Sequence, residues 1–178
     1  MKKFFAILMT IVLLMGAACA ETPVQTRTRM LELDGETLEI TETAYTAENY
    51  SFWYQADILE AGTYYGHPCL RPLGALEEDM SVSYLIVPSE IAPDQAEAML
   101  LEATGGYEPE WTISMEREFT TDAGIRVLSV DANNGFEIHR YYLVVGEAFS
   151  LCITAMYPGE ISEEMSALFD IMTQTFEF

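Results

Sequence analysis

From Met30 the pattern of hydrophobic and polar positions turns to strands, with helical spacing in two later stretches. Leu31, Leu33, Leu38 and Ile40 flank Asp34-Gly35, a two-residue turn signal that predicts a β-hairpin. The aromatic run 50–55 predicts another strand. Between residues 56 and 78 the pattern breaks at Gly62, Gly66, Pro68, Pro72 and Gly74, and a long excursion is expected there. Residues 82–87 resume as a buried strand. Ala92, Ala96, Met99, Leu100 and Ala103 then recur at helical spacing, with Pro93 suited to a first turn and Gly105-Gly106 to a stop. Strand-like runs at 111–120, 125–130, 136–145 and 148–156 follow. They are joined by Asp122-Ala123-Gly124, Asn133-Asn134-Gly135 and Gly146-Glu147, whose residues tolerate the positive φ of tight hairpins, so a four-strand antiparallel meander is predicted. Ile161, Met165, Leu168, Phe169 and Met172 make one apolar stripe of a last helix over 161–173, and Phe176 and Phe178 suit a short closing strand. The order predicts an α+β fold, an antiparallel sheet with a four-strand meander packed between helices.

The first twenty residues follow a different rule. Lys2 and Lys3 precede an apolar run from Phe4 to Met15, and Gly16, Ala17, Ala18, Cys19 and Ala20 close it with small side chains. That is the make-up of a bacterial export signal, so an extracytoplasmic protein is expected. Two processing routes fit: cleavage after Ala20, which releases a secreted chain, and lipidation of Cys19, which anchors it at the cell surface. The polar stretch 21–29 reads as a tether, and 30–178 as a single domain.

Charge narrows the partners. Without Lys2 and Lys3 the basic residues are six arginines against 29 acids, a mature net charge of about −23. Nucleic acid is excluded as a partner, because phosphate neutralisation requires clustered Lys or Arg. Contact with a membrane is expected only through the anchor at Cys19. Half of the chain is hydrophobic and 12% is aromatic, a composition that builds a core rather than a disordered chain.

The element order of the second half resembles a known fold. Tyr141-Tyr142-Leu143-Val144-Val145, a tight turn, residues 149–154, Pro158, an acidic helix start and Thr175-Phe176 are similar to the C-terminal half of the PsbP-like fold, found in the extrinsic PsbP proteins of photosystem II and in DcrB-like bacterial envelope lipoproteins. Arg140 before the strand fits as well, and the match is looser over 45–140. The resemblance implies a PsbP-like α/β/α sandwich and a non-enzymatic envelope or accessory role. It carries over no functional residue.

Candidate chemistry is sparse. Aromatics crowd 45–65, and Trp53, Tyr64, Tyr65 and His67 are the expected ligand surface, beside the 62–74 excursion. Cys69 and Cys152 are either a disulfide, closing a loop of about eighty residues worth about 4 kcal/mol, or two separate buried thiols. A Cys69–His67 nucleophile lacks a partner acid marked by spacing. Asp131, Asn133, Gly135 and Glu137 superficially suggest a calcium loop, but glycine falls at position five and Tyr142 at position twelve, so a hairpin turn explains them better. His139 reads as a strand residue, and Glu77-Glu78-Asp79 as a charged loop. The expectation is a non-catalytic accessory or binding module of the cell envelope, acting on a protein or small ligand and using no cofactor. The alternatives are a divalent-cation binder and a hydrolase built from scattered residues such as Asp57, Glu60 and His67.

Overall fold

The computed structural model describes residues 24–33, 36–76, 78–89, 110–114 and 117–178, with Gln95, Ala98, Leu100 and Glu102 between them. The signal segment with Cys19, the start of the tether, Asp34-Gly35, Glu77 and most of the expected helix near 92–104 lie outside the described residues.

β1 (Thr26–Leu33) and β2 (Glu36–Thr46) pair antiparallel with Leu33 opposite Glu36, the register that a two-residue connection dictates. β3 (Ser51–Tyr54) runs back along β2 after a turn in which the Ala47 N–H donates to the Tyr50 carbonyl at 2.9 Å. These strands form a three-stranded sheet.

The expected excursion is mostly a hairpin. β4 (Leu59–Tyr64) and β5 (His67–Pro72) pair across the loop Tyr65-Gly66, whose φ angles are +48° and +82°. Pro68 and Pro72 read as breakers, yet β5 pairs with β6 (Ser83–Ser89) only at Cys69 and Leu70. Both prolines therefore lie outside the stretch that must donate to β6, a placement that strands tolerate.

The meander forms as expected, with one break. The run 111–120 splits into β7 (Thr112–Ile113) and β8 (Arg117–Thr120), both paired with β9 (Arg126–Asn133). β10 (Glu137–Val145) and β11 (Ser150–Pro158) follow, and β11 pairs with β6. The second sheet has eight strands, in the order β4-β5-β6-β11-β10-β9-β7, with β8 also on β9. After a 3₁₀ turn at Gly159–Ile161, helix α1 (Ser162–Thr173) carries Glu163 and Glu164 in its first turn. Among the described residues no helix is long and apolar enough to cross a membrane.

The sheet packed between helices, the α/β/α sandwich, is thus overturned: the described fold is mostly β, with two antiparallel sheets and one short C-terminal helix. The reason lies in the aromatic strand. Phe52 and Tyr54 alternate onto one face of β3, and Phe52 stacks on Tyr45 at 5.0 Å and on Phe176 at 4.7 Å. That face, with Phe169 of α1 and the C-terminal residues, joins the cluster of Tyr84, Tyr142, Leu151, Ile153 and Tyr157 on the large sheet. A small sheet does the covering there that a helix was expected to do. On the opposite sheet face Leu128, Val130 and Leu143 pack with Leu100. The closing strand is a single bridge between Ser51 and Glu177.

Candidate functional site

The turn 47–50, the loop before β5, the end of β6 and the turn between β10 and β11 meet at one end of the molecule. They enclose an open groove of 720 Å³. Glu48, Asn49 and Tyr50 form one wall, His67 and Pro68 a second, and Phe149 a third. A smaller depression on the other side of the 47–50 turn shares Glu48, Tyr50 and Phe149 and adds Glu177 and Phe178. Gly146 makes this corner: a Cβ there would lie 2.5 Å from the Phe149 carbonyl oxygen and 2.7 Å from the Phe178 ring. The absence of a side chain lets the C-terminal phenylalanine sit edge-to-face on Phe149, with ring centroids 4.8 Å apart.

Two features of this end are costly to the fold. Tyr50 is 6% exposed, and its hydroxyl is buried without a hydrogen-bond partner among the described residues. Burial, with the Tyr45 phenol nearby, pushes its pKa up to about 12. An orphaned buried hydroxyl costs about 1–3 kcal/mol. Tyr65, at the tip of the β4–β5 hairpin, takes a left-handed backbone that disfavours a side chain by about 1–2 kcal/mol. It is nevertheless 88% exposed, touching only the Tyr64 ring edge-to-face at 4.5 Å among ring contacts. Strain of this kind concentrates at binding loops.

The four residues of the expected ligand surface are divided. His67 lines the groove, and Tyr64 and Tyr65 stand beside it in the same hairpin. Trp53 does not join them. It faces away from the aromatic core, and the Arg27 guanidinium lies over its ring at 4.4 Å while donating to Glu42 at 2.7 Å. The strand alternation placed Trp53 on the second face, but nothing local signalled the cap that β1 supplies. Sequence reasoning missed Glu48, Asn49, Tyr50 and Phe149. Their only signal was membership of turns at the ends of aromatic strands.

Cys69 and Cys152 form no disulfide. Cys69 pairs with Leu85 and Cys152 with Val87, so β6 runs between them and their strands are about 10 Å apart, beyond the reach of an S–S bond. Burial raises both thiols above their ordinary pKa and makes them poor nucleophiles. Glu60 pairs with Arg71 across the hairpin and lies four residues from Tyr64, about 13 Å along the strand from the His67 end, so the hydrolase trio does not converge.

The calcium-like oxygens have other work. Arg140 donates to both Asp131 oxygens, at 2.6 and 2.7 Å. Asn133 Oδ1 accepts from the Gly135 N–H, and Asn134 Oδ1 from those of Phe136 and Glu137. His139 pairs with Glu137 at 2.8 Å and lies against Trp111, with ring centroids 4.9 Å apart and planes tilted by 49°. Asp79 accepts from the Ser81 N–H, and hydrogen bonds to Ser81 lower its pKa. Among the described residues no three His, Cys, Asp or Glu side chains are grouped to hold a metal.

Arg140 also reaches Asp170 of α1 at 3.1 Å, and the Tyr142 hydroxyl donates to the same carboxylate at 2.7 Å. Burial opposes the charge on Arg140, but its bonds to Asp131 and the neighbouring acids prevail and raise its pKa. The network ties β9, β10 and α1 together and closes over itself. No family model matches this chain, the comparison with curated proteins gives no match, and nothing in either names a PsbP-like fold.

Proposed function

We propose that the protein is a non-catalytic binding module of the bacterial cell envelope, exported by its N-terminal signal and holding its ligand in the groove at the 47–50 end. The observation that supports this most is a pair of unfavourable features beside that groove. An orphaned phenol at Tyr50 and a strained, exposed Tyr65 flank an open concavity of ligand size. A fold kept only for its own stability gains nothing from either.

The test uses Phe136 as an internal control, because it is 87% exposed at the opposite end of the large sheet. A photo-crosslinking amino acid is placed at residue 65 or at residue 136, and the full chain is irradiated in its host. A discrete adduct from position 65 that position 136 does not give is the expected result. Equal labelling from both ends, or none from position 65, overturns the proposal. The intact mass of the recovered protein assigns the compartment: a chain beginning at Glu21 is secreted, and an acylated Cys19 is anchored.

A further inference from the structure

The fold already shows how it holds a guanidinium. Arg27 lies over the Trp53 ring at 4.4 Å while its Nε donates to the buried Glu42 carboxylate at 2.7 Å. An aromatic face and a carboxylate together attract a planar cation, because the ring quadrupole draws the charge and the carboxylate accepts an N–H, although Nη2 of Arg27 has no partner among the described residues. The groove presents the first two parts of that arrangement without the third. The half-buried Phe149 supplies an aromatic face, Glu48 an exposed carboxylate, and Pro68 and Pro88 apolar flanks. Among the described residues lining it there is no lysine or arginine. Glu177, in the adjoining depression, adds a second acid.

We infer that the groove takes an arginine side chain of an extended peptide or protein segment, its guanidinium paired with Glu48 and set against that aromatic face. The inference rests on the binding-module reading and names its ligand class. The charge of about −23 on the mature chain favours the encounter, and the groove supplies the specificity that a diffuse acidic surface lacks. Arginine suits the site better than lysine, because a flat guanidinium stacks and forks where an ammonium cannot.

The probe is a terminally blocked Gly-Arg-Gly peptide, compared with the same peptide carrying citrulline, a neutral isostere. Binding to the full mature chain is followed by amide chemical shifts at low salt. The arginine peptide is expected to perturb residues 47–50, 66–67 and 148–149, and to bind at least about tenfold more tightly than the citrulline peptide. Glu48→Gln is expected to weaken it about fivefold or more, while Glu163→Gln, which removes the same charge from exposed α1, leaves it unchanged. Equal losses in the two variants would show attraction to net charge alone and overturn the inference. Equal binding of citrulline would overturn the cation while leaving the groove as a binding site. No shift at the groove, combined with no adduct from position 65, would overturn both readings.

Discussion

At the end of the large sheet that carries the β9–β10 turn, every strong polar group named above has a partner. Asn133 and Asn134 accept from the backbone of their own turn, and Arg140, Asp131, Asp170 and Tyr142 bond to one another. At the groove end a tyrosine hydroxyl is orphaned, a second tyrosine is held in left-handed backbone, and Glu48 lies exposed in a concave wall. Both ends are built from hairpin turns of similar length, so turn chemistry does not separate them. Their difference is whether the polar groups are consumed by the fold, and unconsumed groups are where a ligand can enter.

Breaking the closed end gives the largest effect. Arg140→Ala leaves Asp131 without its cation and Asp170 with Arg117 alone, at 3.5 Å, and is expected to lower unfolding free energy by about 3–5 kcal/mol in urea titration. A loss below about 1 kcal/mol would mean that this end is not held by the network. The same one-atom change then separates the ends directly. Tyr142→Phe removes a bond to a carboxylate and is expected to cost about 1.5–3 kcal/mol, whereas Tyr50→Phe removes an unsatisfied hydroxyl and leaves stability within about 0.5 kcal/mol of the parent or raises it. Equal costs would show that Tyr50 is not the orphan its surroundings make it.

Smaller changes sharpen the contrast. Tyr65→Asn keeps the left-handed turn with a residue that tolerates it, and is expected to stabilise by about 0.5–1 kcal/mol in urea titration. Gly135→Ala, at φ +89° on the closed end, is expected to destabilise by about 1 kcal/mol. A further contrast is alkaline. Tyr50 has a folded pKa of about 12, raised from 10, so its contribution is complete below pH 10 and is lost as pH rises towards 12. Tyr84 and Tyr142 are raised as well and persist in both proteins, so Tyr50→Phe isolates one phenol. Urea midpoints at pH 9 and pH 11 should show the variant gaining on the parent, and parallel curves would remove Tyr50 from the alkaline response.

The chain's own pattern determined the first hairpin, the meander and the last helix. Leu31 and Leu38 about Asp34-Gly35, the Asn134-Gly135 turn and the Ile161–Met172 stripe are relations between residues a few positions apart, and such relations are visible in one dimension. It also determined the acidic charge and the buried face of Phe52 and Tyr54. Only the tertiary structure decided that Pro68 and Pro72 sit in a strand, because their tolerance depends on which neighbour needs an N–H. Only it placed β6 between the cysteines, laid Arg27 over Trp53, and made a small sheet the cover over the aromatic core. The groove belongs to the same class. Glu48, His67 and Phe149 meet across a hundred residues of sequence because pairing and register bring three turns to one end, and no local pattern encodes a register between distant strands.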